Sequence, residues 1–334
     1  MSLRKIRVIH YGLGPIGAET ARLVLKKSNM EVVGAVDISK DMVGKDLGEI
    51  LDLERKLGIV VTDNAKQLLS EVKADVVIHT TGSRIKNIFP QLVEIVGAGI
   101  NIVSSAEELL FPSSENSKLA KELDQGAIKN GVTVLGTGVN PGFVMDSLPL
   151  FITAVCQDVK KVHVKRVVDA STRRYPLQKK IGAGMTPEVF RAKIDEKVLG
   201  HAGLLESLYL IADGLCLSFD EVRENVDPFM ADRPVKTDYF DLKTGDVAGI
   251  KHIVQGVKDG KELITLDLQM YIGAENPHDS IYITGTPDIN LRVGGGVAGD
   301  QATAAILVNS SPVVIEAKPG LTTVKDLPAP HFYR

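Results

Sequence analysis

Three glycines near the start of the chain have the spacing of a phosphate-binding loop. The segment reads GLGPIG, and its candidate cofactor-binding residues are Gly12, Gly14, Pro15, Ile16 and Gly17. Gly12 permits a tight turn, Gly14 lets the backbone approach a pyrophosphate, and Gly17 allows a helix to pack closely on a strand. Phosphates can then sit on the amino terminus of that helix. The alternative is a glycine-rich turn without a ligand.

An acidic residue stands where a dinucleotide site needs one. Asp37 ends a second strand-like run and lies 20 residues after Gly17, the last glycine of the loop. A carboxylate there accepts hydrogen bonds from the adenosine ribose hydroxyls and repels a 2'-phosphate. NAD is therefore favoured. Lys40 and Lys45 are near enough in sequence to offset that repulsion, so NADP stays possible.

A pair of carboxylates, Glu107 and Glu108, follows another strand-like run. A carboxylate near a reacting centre can hold a cation, take its proton and stabilise developing positive charge. The alternative is that both are first-turn helix acids, which the helix dipole favours. We predict that one of the pair is catalytic, with a preference for Glu107.

A parallel sheet would bring these residues to one edge. Strands are expected at 6–11, 31–37, 74–81, 101–105 and 132–136, with helical runs at 18–25, 65–72, 88–98 and 117–130 between them. This alternation predicts a doubly wound sheet with its ligand along the carboxyl edge. The residues after the strands supply further cofactor candidates, namely Thr80, Thr81, Gly82, Ser105 and Asn140. Asn140 has the alternative of bonding within its own turn.

The second half of the chain has a different pattern. Strands are expected at 161–169, 252–257, 262–271 and 280–285, and helices at 187–199 and 202–216. Many strands with few helices predict a mixed or antiparallel sheet with helices on one face. Arg166, Asp169 and His201 are the candidates for substrate binding. Arg166 and Asp169 could instead form a structural ion pair, and His201 could be a helix cap or surface residue.

The predicted fold class is α/β, a doubly wound parallel Rossmann sheet plus a second α+β domain. We expect a dinucleotide-binding domain at 1–145 and a substrate-binding and dimerisation domain at 146–300. A helix at 301–309 and the following tail, to 334, are expected to return to the first domain.

Composition limits the classes of function. The 334 residues carry a net charge of -3, which offers no general field for a nucleic acid. Apolar runs are too short for a transmembrane helix, and the amino terminus lacks an export signal, so we expect no membrane partner and a cytoplasmic location. Cys156 and Cys216 have no metal or redox spacing, and the histidines are scattered, so we expect no metal.

Several short segments together resemble one known family. They are GLGPIG at 12–17, VGKDLGE at 43–49, HTTGS at 79–83, SSAEEL at 104–109, GTGVNPGF at 136–143, GHAGLLES at 200–207 and GDQATAAILVN at 299–309, with PGL at 319–321. The chain resembles the dihydrodipicolinate reductase-like NAD(P)-dependent dehydrogenases, a group that includes 2,4-diaminopentanoate dehydrogenase and amine dehydrogenases. The resemblance implies interconversion of an amine and a ketone through an imine, a catalytic acid in the Glu-Glu segment, and a homodimer.

The expected function is therefore NAD(P)-dependent oxidative deamination of a short-chain amine or 2,4-diamino acid. The absence of a His-His pair from the sequence argues against dihydrodipicolinate reduction. Two alternatives remain: a dehydrogenase or reductase acting on a carbonyl or hydroxy substrate, and a dinucleotide sensor without catalysis. Paired acids weigh against the sensor, which has no need of a proton acceptor.

Overall fold

The chain divides into two compact units. The computed structural model describes residues 5–196 and 199–333. Unit 1 is Met1–Phe143 together with Ala298–Arg334, and unit 2 is Val144–Val297. The two crossing points, at 143/144 and 297/298, fall within three residues of the boundaries expected from the sequence. The functions attached to these segments remain predictions.

The first segment of unit 1 alternates strands and helices. Its elements are β1 (Ile6–Tyr11), α1 (Pro15–Leu25), β2 (Met30–Val36), α2 (Leu47–Ile50), α3 (Ala65–Glu71), β3 (Val76–His79), α4 (Ile85–Gly97), β4 (Asn101–Ser104), α5 (Ser117–Asn130) and β5 (Thr133–Gly136). The strands from β3 to β5 are buried at almost every position, as expected when both faces of a parallel sheet are covered.

Unit 2 contains most of the longer strands. Its elements are α6 (Ser147–Ile152), β6 (Asp158–Asp169), α7 (Tyr175–Lys180), α8 (Pro187–Asp195), α9 (Leu204–Gly214), β7 (Glu221–Met230), β8 (Val235–Lys236), β9 (Asp241–Leu242), β10 (Val247–Lys258), β11 (Lys261–Tyr271), β12 (His278–Thr286) and β13 (Ile289–Gly294).

Two further elements complete unit 1. They are α10 (Gly299–Ile315) and β14 (Gly320–Thr322). The sheet order is β14-β5-β4-β3-β1-β2, with every pairing parallel. From β1 the chain adds β2 on one side of the sheet and then returns to add β3 on the other side. Doubly wound sheets bind their ligands at this switch point, between β1 and β3.

The strand ends of unit 1 are in register. Tyr11 pairs with Val36 on one side and His79 on the other, His79 pairs with Ser104, and Ser104 pairs with Gly136. The loops that follow these strands therefore begin along one line at the carboxyl edge. Apolar clusters lie on both faces of the sheet, one of them including Leu307 and Val308 of α10.

The main sheet of unit 2 is mixed, with the order β13-β12-β6-β11-β10-β7. β6 and β11 are parallel, whereas the other neighbours are antiparallel. Alternate residues such as Ile250 join a core with Phe190 of α8. The predicted fold class is confirmed.

Some element bounds differ from those expected. The helix predicted at 88–98 begins at Ile85, and the one predicted at 202–216 is shorter, Leu204–Gly214. The helix predicted at 187–199 ends at Asp195, and its residues 197 and 198 lie outside the described part of the chain. β7 and β13 were not expected. β7 is mostly polar and exposed, without a clear apolar period, whereas β13 alternates half-buried Ile289, Leu291 and Val293 with exposed residues, a strand signal that the sequence expectations did not use.

Candidate active site

The glycine-rich loop is fastened to the ends of β2 and β3. Gly12 N–H donates to the Val36 carbonyl at 2.8 Å, and the Thr80 hydroxyl donates to the Gly12 carbonyl at 2.9 Å. Gly12 has a φ of +95°, and a Cβ there would lie 2.9 Å from the Thr80 carbonyl oxygen. The loop therefore has a fixed shape that requires glycine at its first position.

The other two glycines differ in what surrounds them. A Cβ at Gly17 would lie 1.9 Å from the Gly12 carbonyl oxygen, so this position must stay without a side chain. A Cβ at Gly14 would meet no atom within 4 Å. Gly14 is also the N-cap of α1 and supplies no side-chain cap, and Pro15 opens the helix. The open side of Gly14 and the uncapped helix end fit a pyrophosphate.

Asp37 lies beside this loop at the end of β2. Its Oδ2 accepts from Leu13 N–H at 2.6 Å, and its Oδ1 accepts from Ser39 N–H at 2.8 Å. The carboxylate is only half-buried. It therefore holds the glycine-rich loop while keeping acceptor capacity for ribose hydroxyls, since each oxygen has two lone pairs.

The two lysines that could favour NADP are not equally available. Lys45 lies 3.8 Å from the Glu49 carboxylate, which offsets its charge, whereas Lys40 is exposed. The charge of Lys45 is therefore partly offset, and the choice between NAD and NADP stays a prediction.

The paired carboxylates have different surroundings. Glu108 Oε2 accepts from Ile85 N–H at 2.9 Å and from Asn116 Nδ2 at 3.2 Å, so it caps the first turn of α4. Glu107 opens a 3-10 turn, Glu107–Leu109, and is half-buried. Among the described residues its carboxylate has no hydrogen-bond or ion-pair partner. The structure thus separates a structural glutamate from one that is available for chemistry.

The other cofactor candidates of unit 1 follow the aligned strand ends. Thr80 binds the glycine-rich loop, as described above, and Ser105 N–H donates to the His79 carbonyl at 3.0 Å. Thr81 donates its hydroxyl to Gln91 at 2.6 Å, and Gly82 leaves room for Ile88, because a Cβ there would lie 3.3 Å from that side chain. These residues line the same edge as Gly12.

Asn140 lies in a tight turn after β5. The Asn140-Pro141 peptide is cis, and Gly142 has a φ of +126°. A Cβ at Gly142 would lie 2.2 Å from the Gly138 nitrogen, which explains the glycine. Val139 N–H donates to the Thr303 hydroxyl of α10 at 3.3 Å. The turn thus begins at the same edge of the sheet.

Sequence reasoning missed the buried polar residues beneath these loops. His79 is hydrogen-bonded to Ser104 and to Gln91, and none of the three was singled out as a site residue. The available signal was a polar residue ending an otherwise apolar strand, in VVIH and NIVS.

In unit 2, Arg166 and Asp169 do not pair. Arg166 donates from Nη1 to Asp279 Oδ1 at 2.8 Å and from Nη2 to the Val297 carbonyl at 2.7 Å. Asp169 accepts from the backbone and the hydroxyl of Ser171, at 3.0 Å and 2.6 Å. The alternative of an ion pair between them is wrong, since residues three apart on a strand point to opposite faces. Their predicted role in substrate binding stays a prediction.

His201 lies before α9 but does not cap it, because the N-cap is Gly203. Burial lowers the pKa of His201 to about 3, and the positive charges of Lys180 and Arg166 act in the same direction. The ring is therefore neutral at neutral pH. Its predicted role in substrate binding likewise stays a prediction.

The described residues contain neither a metal-binding cluster nor a membrane-spanning helix. No three His, Cys, Asp or Glu side chains in that part of the chain are grouped so as to hold a metal ion. Within residues 5–196 and 199–333, no helix is both long and apolar enough to span a membrane.

The parallel sheet, the glycine-rich loop and the acid after β2 define a class, the Rossmann-fold oxidoreductases that use NAD(P). Two family models that match the chain identify a smaller group within this class. One described as "2,4-diaminopentanoate dehydrogenase C-terminal domain" matches residues 143–333, and one described as "Dihydrodipicolinate reductase, N-terminus" matches residues 6–105.

Individual relatives agree with these models. The chain is 35% identical to the 2,4-diaminopentanoate dehydrogenase of Acetoanaerobium sticklandii, over 98% of this chain and 95% of that one. It is 24% identical to the amine dehydrogenase of Streptomyces virginiae, over 97% and 96%. The solved amine dehydrogenase of Mycobacterium smegmatis matches it with a TM-score of 0.86 and 26% identity, covering 98% and 97%. The chain belongs to the 2,4-diaminopentanoate dehydrogenase family, which confirms the resemblance stated from the sequence.

Proposed function

We propose that this chain oxidises a short-chain amine or 2,4-diamino acid to the ketone and ammonia, with Glu107 as its catalytic base. The observation that carries the assignment of Glu107 is its carboxylate, which is unpartnered among the described residues and follows a strand end aligned with the glycine-rich loop. β4 is two strands from β1, a separation of about 10 Å. A nicotinamide extending from a pyrophosphate at Gly14 would lie near this turn.

The residues of unit 1 fit the cofactor. The amino terminus of α1 and the open side of Gly14 would receive the pyrophosphate, and Asp37 would accept from the ribose hydroxyls. When bound, NAD(P)+ supplies the hydride acceptor. We propose NAD as the preferred form, because Asp37 opposes a 2'-phosphate and Lys45 is paired.

Glu107 would act on the nitrogen of the substrate. Its negative charge attracts the substrate ammonium, and the carboxylate then takes one proton from it, leaving a neutral amine with a free electron pair. As the hydride leaves the adjacent carbon, that pair forms the carbon-nitrogen double bond of an iminium cation. Once Glu107 has passed its proton to water, its restored negative charge stabilises that cation. Water then adds to the iminium carbon, and ammonia leaves as the ketone forms.

Glutamine replacements test the assignment. Glu107→Gln keeps the size of the side chain but removes the proton acceptor and the charge, so we expect kcat for amine oxidation to fall by about 10² to 10⁴. Glu108→Gln keeps an oxygen that can cap Ile85 N–H, so it is the matched control and its kcat should change by roughly twofold at most. The dissociation constant of NADH should hardly change in either variant.

If both variants keep most of their amine-dependent turnover, Glu107 is not the base. The reductive direction separates the reaction class: ketone reduction that needs ammonia supports amine chemistry, whereas reduction at the same rate without ammonia would identify a carbonyl reductase. NADH binding without turnover on any amine would identify a sensor.

We further propose that the protein is a homodimer built on the sheet of unit 2. The helices pack against one face, on the side of Ile250, and the other face includes Asp267 and Gln269, which are at most 9% exposed, and Tyr282, which is 38% exposed. Two-fold assemblies are the commonest oligomers. Light scattering should give twice the 36.0 kDa mass of the chain.

Paired tyrosine variants test this face. Tyr282→Glu should yield monomers, whereas Tyr209→Glu, on α9 and 37% exposed, should leave the dimer intact. A wild-type protein that is monomeric at micromolar concentration contradicts the proposal. We also propose a cytoplasmic location, which the free Cys156 and Cys216 support and cell fractionation would test.

A further inference from the structure

A buried histidine lies directly beneath the turn that carries Glu107. His79 is the last residue of β3, is fully buried, and points toward α4. Its Nδ1 lies 2.9 Å from the Ser104 hydroxyl and its Nε2 lies 2.9 Å from Gln91 Oε1. The Thr81 hydroxyl is a further neighbour of Nε2, at 2.9 Å. Three separate segments of unit 1 therefore meet at one imidazole.

The direction of these hydrogen bonds follows from their partners. Gln91 Oε1 can only accept, so the ring hydrogen lies on His79 Nε2 and Nδ1 is an acceptor. Ser104 must then donate its hydroxyl hydrogen to Nδ1. Burial lowers the pKa of His79 to about 4, so the ring stays neutral at neutral pH and keeps this acceptor.

The orientation of Ser104 determines what its oxygen can do next. With its hydrogen given to His79, the Ser104 oxygen accepts from Ala106 N–H at 3.2 Å. Ala106 is the residue before Glu107. On the other side of the turn, Glu108 N–H donates to the Ser83 carbonyl at 3.1 Å. The backbone is thus fixed by hydrogen bonds at Ala106 and at Glu108, the residues on either side of Glu107.

We propose that His79, acting through Ser104, is a positioning residue that fixes the turn from which Glu107 reaches the substrate nitrogen. This inference rests on the proposed role of Glu107 as the base. It assigns a function to a buried polar cluster that packing does not need: an apolar side chain at position 79 would bury as well without requiring three polar partners. A turn held in this way keeps one orientation, so the Glu107 side chain stays aligned with the substrate. Such alignment matters because misplacement of a reacting group by about 1 Å can lower the rate by about 100-fold.

Ser104→Ala is the variant that tests the inference. It removes the link between His79 and Ala106 without altering the Glu107 side chain itself. We expect kcat to fall by about 10- to 100-fold, with the dissociation constant of NADH unchanged. Ser311→Ala is the matched control, since it removes another fully buried hydroxyl of unit 1, one that bonds only within α10. If Ser104→Ala does not fold, His79→Gln, which cannot reach both Ser104 and Gln91, replaces it.

The double variant distinguishes positioning from general support of the fold. If Ser104 acts through Glu107, adding Ser104→Ala to Glu107→Gln should lower kcat by less than about twofold further, because coupled residues are not additive. The inference would be overturned if Ser104→Ala lowered kcat as much in the Glu107→Gln variant as it does in the unchanged protein. It would also be overturned if kcat of Ser104→Ala alone were unchanged. An active Glu107→Gln variant would overturn the proposed base and this inference together. A large loss in Glu107→Gln with none in Ser104→Ala overturns the inference alone.

Discussion

At the residue scale, two adjacent glutamates with the same side chain have different surroundings. The sequence placed both after a strand and predicted that one would be catalytic, but it could not divide the roles. That division depends on Ile85, at the start of α4, and Asn116, just before α5, which both donate hydrogen bonds to Glu108. Contacts between loops that are distant in sequence arise only when the strands align, so no local pattern reveals them.

Asp37 carries a prediction at the same scale. Asp37→Asn keeps an oxygen for Leu13 N–H and removes the charge, whereas Asp37→Ser also loses the contact with the loop. We expect both to raise the kcat/KM ratio of NADP to NAD. Asp37→Ser, whose side chain is too short to keep the contacts that the asparagine variant would retain, should weaken use of NAD more than Asp37→Asn does, by about 10- to 100-fold relative to the unchanged protein. Steady-state kinetics with both cofactors measures this, and an unchanged ratio would refute the cofactor assignment.

At the scale of elements, the sequence predicted the Rossmann strands well and the second sheet less completely. β1 was predicted with its observed bounds, because a buried apolar run ends at glycine. The predicted start of α4, residue 88, lies three residues after its observed start at Ile85. The early start was not predicted because Pro90 lies within the helix and because the side chain that caps its first N–H, Glu108, is distant in sequence. β7 was missed because most of its residues are polar and exposed, whereas β13 was missed although Ile289, Leu291 and Val293 alternate with exposed residues over its six positions.

The neighbourhood of β6 and β12 yields a prediction of stability. Arg166 and Asp279 are 4% and 2% exposed at their side chains and also hold both backbone groups of Val297. Arg166→Met leaves a buried carboxylate without its cation, so we expect unfolding free energy to drop by about 3 to 5 kcal/mol.

The double variant provides the check on that explanation. Adding Asp279→Leu to Arg166→Met removes the stranded charge, so urea unfolding should show a loss smaller than the sum of the two single variants. Additive losses would mean that Arg166 acts elsewhere, for which its predicted substrate contact would be the first candidate.

At the scale of the whole molecule, buried neutral histidines tie stability to pH. His10 is fully buried in β1, and neither ring nitrogen has a hydrogen-bond partner in the described part of the chain. Burial lowers its pKa to about 3, and that of His79 to about 4, from the ordinary histidine value of 6.5. The unfolded chain therefore binds these two protons first as pH falls. Stability is full above pH 6.5 and declines toward pH 4, by about 1.4 kcal/mol per pH unit for each histidine.

Replacing His10 by leucine separates one contribution. We expect His10→Leu to be more stable at pH 8 by about 1 to 3 kcal/mol, since no unsatisfied polar group remains, and to gain more at pH 5. Urea unfolding at the two pH values measures both effects. A gain that is equal at pH 8 and pH 5 would show that His10 is protonated in the folded protein.

The division of unit 1 into two segments has a consequence for synthesis. When a ribosome has released the first 143 residues, the sheet face that α10 covers is still bare, because Leu307 and Val308 have not yet been translated. Unit 2 comes from one uninterrupted stretch of the message and can close its own core first. The nascent first segment thus exposes apolar surface throughout translation of 154 further codons, from 144 to 297, and such surface is prone to aggregation until it is covered. A message truncated after codon 297 would leave that face permanently uncovered.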